Sequence, residues 1–211
     1  MRRIVILIFL VVSFLVAIYG IIVLPSTIPT HFDASGNPND YASKFVLLLL
    51  PIAALLTYVG IPLIFRIDPY ADEIEPRKFA LLVVRDILVI FFSAVSVIAV
   101  MGAFTGRIPP NLIAVLVSAL FVVMGNYLPR LPRNWFVGIR TPWTLVDERV
   151  WRRTHRVFGV LFFLLGIVML VVSFFSIGLW LWITICGVTL ITVGAFLYSY
   201  IAYRRLVEGN S

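Results

Sequence analysis

The side chains best suited to chemistry in this chain are Asp147, Glu148 and His155, which lie close together in a polar segment between apolar runs. Carboxylates and an imidazole could form an acid–base set, and histidine, with an unperturbed pKa of about 6.5, could carry a proton or act as a switch. His155 could instead hydrogen-bond Asp147 or a loop carbonyl, and we favour that structural role. Neither a nucleophile nor a group of metal ligands accompanies the three residues, so we expect no catalysis, no metal and no cofactor.

A second polar group lies in residues 25–44, where His31, Asp33 and Asp40 could hold a cation or a small ligand. Their spacing is irregular, so an ordered loop without a metal is the preferred interpretation. The run from Asp33 to Gly36 predicts a turn. Helix is excluded over most of the loop by three prolines, Pro25, Pro29 and Pro38.

The elements around these groups are predicted to be membrane-spanning helices. The chain has 211 residues, of which 62% are hydrophobic and 13% charged, whereas soluble domains average about 45–50% apolar and about 25% charged residues. A span needs roughly 20 apolar residues. Six stretches qualify, which predicts an all-α integral membrane bundle: Ile4–Leu24, Phe45–Phe65, Ile87–Phe104, Leu112–Leu128, Val157–Ile177 and Leu179–Ala202. The last two are separated by a predicted break at Gly178.

The distribution of the positive residues predicts how the bundle is oriented. Most of the 17 lysines and arginines fall in segments that a cytoplasmic N-terminus would place inside, and Lys44 and Arg107 fall outside. Both termini are therefore expected in the cytoplasm, with residues 25–44 outside and residues 129–156 inside. This topology explains the net charge of +7, so we expect contact with membrane lipids and none with nucleic acid.

Two further groups of charges have simpler expected roles. Residues 66–78 mix both signs and contain two prolines, which predicts a solvated connection. Arg85 and Asp86 follow at the edge of the third span, where charge is costly and usually partnered. They could form a pair at the membrane interface or a polar contact within the bundle.

The basic segment 129–156 is predicted to be an ordered structure at the membrane surface. Pro142 favours an extended Thr141, and the spacing of Thr144 and Asp147 predicts a capping box that starts a helix at Thr144. That helix would continue into the fifth span. Its expected faces are Asp147, Trp151 and His155 on one side and Glu148, Arg152 and Arg156 on the other.

Arg140 and the tryptophans of this segment could be more than contacts of lipid headgroups. Trp135 and Trp143 suit a membrane–water interface. A rigid backbone around Arg140 instead predicts that its guanidinium turns back to bind Asp86, Asp147 or the carbonyls that end a helix.

One long run, GNYLPRLPRNWFVGIRTPWTLVDERVWRRTHRVFG from Gly125 to Gly159, resembles the signature region of the SdpI family of bacterial and archaeal membrane proteins. The residues that carry this resemblance are Asn134, Phe136, Gly138, Arg140, Thr141, Pro142, Trp143 and Thr144, followed by Trp151, Thr154, His155 and Arg156. The external loop also resembles the domain of unknown function that commonly precedes this region, through Pro29, His31, Phe32, Asp33 and Gly36. A division follows from the resemblance: a two-helix region over 1–78 and a four-helix SdpI-like region over 79–211.

The resemblance implies an immunity and signalling protein without catalytic activity. The family's namesake protects a producing cell from its own secreted peptide toxin and draws a cytoplasmic repressor to the membrane. For this chain the resemblance thus implies a peptide toxin outside and a repressor or another membrane protein as partners. Two alternatives stay open: an accessory subunit of a larger membrane complex, and a small transporter or channel.

Overall fold

Six helices long and apolar enough to cross a membrane dominate the computed structural model, which describes residues 2–206. They are α1 (Arg2–Val23), α2 (Leu49–Ile67), α4 (Lys78–Thr105), α5 (Pro110–Tyr127), α7 (Glu148–Val172) and α8 (Ile177–Leu206). Two short helices, α3 (Ala71–Ile74) and α6 (Pro142–Val146), lie in the connections. The prediction of an all-α bundle with six spans is confirmed.

The described chain divides into two units, and the division falls inside helices. One unit comprises the residues up to Gly60 together with Arg85–Leu116. The other comprises Ile61–Val84 together with the residues from Val117 onwards. The division at residue 78 proposed from the sequence stays a prediction.

The first unit contains a β-hairpin that the sequence did not reveal. Strands β1 (Thr27–Phe32) and β2 (Pro38–Ser43) pair antiparallel, with irregularities in register that begin at Pro29. Ile28 is buried in a cluster with Ala17 of α1, Leu47 and Val100 of α4, and this contact anchors the hairpin to the helices. The predicted turn is confirmed, since Gly36 N–H donates to the Asp33 carbonyl at 2.9 Å.

Arg85 and Asp86 form a buried ion pair in the first unit. Nε and Nη2 of Arg85 donate to Oδ1 of Asp86 at 2.8 and 2.5 Å, and the guanidinium lies 4.7 Å from the centre of the Tyr58 ring. The two residues are 8% and 5% exposed. Of the two alternatives, the structure therefore has the polar contact inside the bundle.

The second unit brings α5 and α7 into close contact through glycines. A Cβ on Gly125 would lie 2.3 Å from the backbone nitrogen of Phe163, and one on Gly166 would lie 2.5 Å from that of Val122. Small residues allow two membrane helices to approach this closely. The candidate site lies at the N-terminal end of α7.

One predicted helix boundary was wrong, the break at Gly178. The break between the last two spans lies at residues 173–176, and Gly178 lies inside α8. Two serines explain the position of the break, because their side chains bind backbone groups at the two helix ends. Ser173 Oγ donates to the Leu170 carbonyl, and Ser176 Oγ accepts from Leu179 N–H at 3.2 Å. The third long helix begins at Lys78, well before the apolar stretch itself begins.

Candidate functional site

Residues 131–147, termed here the signature segment, form an ordered loop and one short helix in the second unit. Asn134, fully buried, organises the first part of the loop. Its Nδ2 donates to the carbonyls of Pro132 and Val137, both at 2.9 Å. Its Oδ1 accepts from the backbone N–H groups of Phe136 and Val137 at 2.9 and 2.6 Å. An asparagine side chain offers both donors and acceptors, so it can close this turn without any ionised group.

Trp151 and His155, one turn apart on α7, hold the rest of the loop. Both are buried, and their rings stack with centroids 3.9 Å apart. Trp151 Nε1 donates to the Leu131 carbonyl at 3.0 Å, and His155 Nε2 accepts from Ile139 N–H at 2.9 Å. Since Nε2 accepts, Nδ1 carries the proton and donates to the Trp151 carbonyl at 2.9 Å. His155 therefore makes structural contacts, but its partners are a loop N–H group and a carbonyl of its own helix, not Asp147 or a loop carbonyl.

Gly138 lies directly above these rings and has a φ of +120°. A Cβ there would lie 2.5 Å from Nε2 of His155 and 3.1 Å from Cη2 of Trp151. Both the backbone conformation and the space therefore require glycine at this position.

The helix predicted from Thr144 begins earlier and is interrupted. Thr141 is the N-cap of α6 and Pro142 is its first residue, while Thr144 closes the capping box. Thr141 N–H donates to Thr144 Oγ1 at 2.9 Å, and Thr144 N–H donates to Thr141 Oγ1 at 3.2 Å. Thr141 is extended, as predicted, so its side chain can act as the cap.

Asp147 ends α6 and starts α7, which corrects its predicted place within one helix. Its backbone is extended, and Oδ1 accepts from the N–H groups of Arg149 and Val150 at 2.7 and 3.3 Å. The Arg149 side chain, followed by these N–H groups, keeps the pKa of Asp147 below its usual value. Trp151 and His155 share a face as predicted, and Glu148 pairs with Arg152.

Two side chains of the signature segment bind it to α8. Trp143 packs against the rings of Phe196 and Tyr200, with centroids 4.9 and 5.0 Å away. Thr141 Oγ1 donates to Ser199 Oγ at 2.9 Å, and Ser199 Oγ donates to the Phe196 carbonyl at 2.8 Å.

Thr154 of α7, another residue of the sequence signature, is fully buried.

The connection between α2 and α4 is part of this site and was missed in the sequence. It was predicted to be solvated, but Asp68 is 4% exposed. Oδ2 of Asp68 accepts from Trp135 N–H and Oδ1 from Tyr70 N–H, both at 2.8 Å. The Tyr70 hydroxyl donates to the Leu145 carbonyl at 2.7 Å. The carboxylate thus accepts from one local N–H group and from Trp135 N–H, which is distant in the sequence and which no local pattern could reveal.

Arg133, absent from the predicted set, makes the most extensive contacts of any arginine in the segment. Nε and Nη2 donate to the two carboxylate oxygens of Glu73, Nη1 donates to the Val146 carbonyl at 2.9 Å, and the guanidinium lies 4.1 Å from the Tyr70 ring centre. The hydrogen bonds with Glu73 raise the pKa of Arg133. This side chain joins the α2–α4 connection to the signature segment.

Arg140 does not bind the carboxylates expected from the sequence. Its Nη1 donates to the Trp135 carbonyl at 2.6 Å, within the loop, and its side chain is exposed. Asp86 accepts from Arg85, and Asp147 accepts from Arg149. Trp135 and Phe136 are 49% and 43% exposed, so they form the apolar part of the segment's surface.

The candidate acid–base residues are each occupied by structural contacts. Asp147 caps α7, Glu148 binds Arg77 and Arg152, and both nitrogens of His155 are hydrogen-bonded to backbone groups. These contacts give the segment a defined surface. Its geometry does not predict proton transfer by these three residues.

The candidate residues of the external loop lie apart from this segment, in the hairpin. His31 pairs with Asn39, Asp40 accepts from Tyr41 N–H, and Asp33 Oδ1 accepts from the N–H groups of Ser35 and Asn37. The Asn37 and Ser35 N–H groups lower the pKa of Asp33. Pro29 and Phe32 are half-buried in β1, and Gly36 is buried. No three metal-ligating side chains converge among residues 2–206.

The fold and the site together define a multi-pass membrane protein with one ordered polar segment at the end of its last two spans. A model of the SdpI/YfhL protein family matches residues 130–199, and a model of a domain of unknown function, DUF1648, matches residues 7–55. The chain is 27% identical over 206 residues to "Immunity protein SdpI" of Bacillus subtilis (strain 168), and the match covers 97% of each chain. No solved structure matches significantly. The chain thus carries an SdpI/YfhL family region preceded by a DUF1648 region, as the sequence resemblance indicated.

Proposed function

We propose that this protein is an immunity protein that protects its cell against a peptide toxin without catalysing a reaction. The observation that carries the proposal is the similarity to an immunity protein over nearly the whole of both chains. Coverage of this extent includes the hairpin, all six spans and the signature segment. The buried and fully hydrogen-bonded His155 supports a structural rather than catalytic segment.

In this proposal the two polar regions have different partners on opposite sides of the membrane. The hairpin is external and offers Tyr41, 56% exposed, to the toxin. The signature segment is cytoplasmic and offers Trp135 and Phe136 to a protein such as a repressor. Exposed aromatic side chains are the residues most often central to protein interfaces.

The orientation is tested by cysteine labelling in intact cells. Cys186 is replaced by serine, and a cysteine is then introduced at Ala34 or at Arg149. An impermeant maleimide is expected to label the Ala34→Cys variant from outside and the Arg149→Cys variant only after lysis. The reverse pattern would overturn the orientation.

The immunity function is tested in two arms. In the first arm, Bacillus subtilis 168 cells whose SdpI has been replaced by this chain are grown together with unmodified 168 cells. In the second arm, the gene for this chain is deleted from its own host, and the deletion cells are exposed to culture supernatant of the parent strain. We expect the chain to raise survival in at least one arm. Equal survival with and without the chain in both arms would overturn the proposal.

Two exposed substitutions separate the regions in these assays. Tyr41→Ala is expected to lower survival, whereas Trp135→Ala should leave survival unchanged because it alters only the opposite side. Immunoblots of membranes must show equal amounts of both variants. Equal losses of survival would place the toxin contact elsewhere.

A further inference from the structure

A cleft of about 310 Å³ opens beside the signature segment, between α7 and α8. Its apolar wall is formed by Phe162 of α7 and by Ile191, Ala195 and Phe196 of α8. Thr192 and Arg140 lie at its border. Ile191 and Ala195 are buried and Phe196 is half exposed, so the cleft is a real depression that is open on one side.

Arg140 gives one end of the cleft a positive charge with unused donors. A guanidinium has five N–H groups, and the structure gives Arg140 one hydrogen bond, to Trp135, among the described residues. The side chain is exposed and forms none of the ion pairs found in the described part of the chain. A phosphate could therefore accept two parallel hydrogen bonds from it.

The position of the cleft along α8 indicates what fills it. Thr141 binds Ser199, so the loop lies beside the last turns of α8, which end with Arg204 and Arg205. At 1.5 Å per residue, Phe196 lies about 12 Å and Ile191 about 20 Å from Arg204 along the helix. The apolar wall thus runs from the polar end of the span towards its middle, where acyl chains surround the helix.

We propose that the cleft binds one phospholipid. Arg140 binds the phosphate, and one acyl chain lies against Phe162, Ile191 and Phe196. The volume is at the lower end of the roughly 300–1,000 Å³ of ligand sites, which suits a single chain and not a whole lipid. The bound lipid joins the signature segment to α8, next to the Thr141–Ser199 contact. This inference does not depend on the immunity function.

The test is a titration of the full chain in dodecyl maltoside, followed by native mass spectrometry and thermal unfolding. Phosphatidylglycerol, diacylglycerol with the same chains, and glycerol 3-phosphate are compared. We expect one phosphatidylglycerol to bind and to raise the melting temperature, with little effect of the other two. Arg140→Gln should weaken binding roughly tenfold or more, as expected for losing charge-assisted hydrogen bonds.

Two more variants distinguish the cleft from the general surface. Thr192→Phe should fill the cleft from its exposed border and abolish lipid binding. Arg153→Gln removes another exposed positive charge and should bind like the wild type. Equal binding of diacylglycerol, full binding by Arg140→Gln or an equal loss in Arg153→Gln would each overturn the proposal. Stabilisation by glycerol 3-phosphate alone would show a soluble phosphate site instead. A dimer that disappears with Thr192→Phe would identify a second copy as the occupant.

Discussion

The hairpin and the signature segment are both polar regions between spans, but they are held in opposite ways. The hairpin depends on a backbone ladder and on Ile28, and its polar side chains His31, Asn39 and Asp40 are exposed. In the signature segment, Asn134 is buried and binds backbone groups, and Asp68 of the adjoining α2–α4 connection does the same. A buried polar group without its partner is costly, whereas an exposed one can bind water. Substitutions of the same kind should therefore have very different effects in the two regions.

Each region contains a glycine with positive φ whose Cβ position is crowded by neighbouring atoms. Gly36 has a φ of +80° and a Cβ there would lie 2.1 Å from the Ile108 carbonyl oxygen. Gly138 meets a histidine and a tryptophan ring instead. The hairpin turn is thus fixed against backbone, and the signature loop against the side chains of α7.

The largest difference in stability between the two regions is expected from substitutions at two asparagines, Asn134 and Asn39. Asn134→Asp replaces two donors by a charged acceptor that faces the carbonyls of Pro132 and Val137, so unfolding should become easier by about 3–5 kcal/mol, the cost of an uncompensated buried charge. Asn39→Asp keeps the acceptor that faces His31 in solvent and should change little. Melting temperatures in detergent measure both. Equal decreases in melting temperature for the two variants would contradict the difference between buried and exposed polar side chains in the two regions.

Gly138→Ala is expected to have the next largest effect. Positive φ costs about 1–2 kcal/mol, and crowding against His155 and Trp151 costs about 1–3 kcal/mol more. Gly106→Ala is the control for φ alone, since Gly106 has a φ of +69° and no atom within 4 Å of its Cβ position. Thermal unfolding should place Gly106→Ala between wild type and Gly138→Ala. If the two variants have the same melting temperature, the close contact of Gly138 with α7 does not contribute to stability.

Asp68→Asn should have a moderate effect, because each carboxylate oxygen accepts from a different backbone N–H group and an amide keeps an acceptor at only one of those two positions. The expected loss is about 1–3 kcal/mol, that of one unsatisfied buried donor. Asp40→Asn is the matched substitution in the hairpin, where Asp40 accepts from Tyr41 N–H in an exposed position. A melting temperature unchanged by Asp68→Asn would show that the α2–α4 connection does not support the segment.

Arg140→Lys should have the smallest effect on stability, below about 1 kcal/mol, because Arg140 is exposed and an ammonium can also donate to the Trp135 carbonyl. Arg133→Lys is the contrasting change, since it loses the planar contacts with Glu73 and Tyr70 and should cost about 1–3 kcal/mol. Thermal unfolding of the two variants decides which arginine positions the segment. Greater destabilisation by Arg140→Lys would restore the expectation drawn from the sequence.

The spans could be predicted because the length and apolarity of a membrane helix are local properties of the sequence. The hairpin could not, since its strands contain prolines and show no clear alternation, and burial of Ile28 against distant helices stabilises it. Trp151 and His155 could be placed on one face of a helix by spacing alone. Their target, the loop from Leu131 to Ile139, could not be predicted, because hydrogen bonds to backbone carbonyls and N–H groups leave no pattern in side chains.

The boundary at Asp147 shows a further limit of sequence spacing. Thr144 and Asp147 fit a capping box as well as Thr141 and Thr144 do, so the motif alone cannot choose between them. The structure uses Thr141 because Pro142 follows it and fixes the first helical position. Asp147 is then free to cap α7.

The contacts of the signature segment also determine when it can become ordered during synthesis. The Asn134 turn is made early and depends mainly on its own residues. The rings of Trp151 and His155 follow later, and the partners of Thr141 and Trp143, Ser199 and Tyr200, are made only with α8. The complete surface therefore cannot form before α8 has been synthesised. A protein that binds it binds chains that include α8 and does not bind chains truncated before that helix.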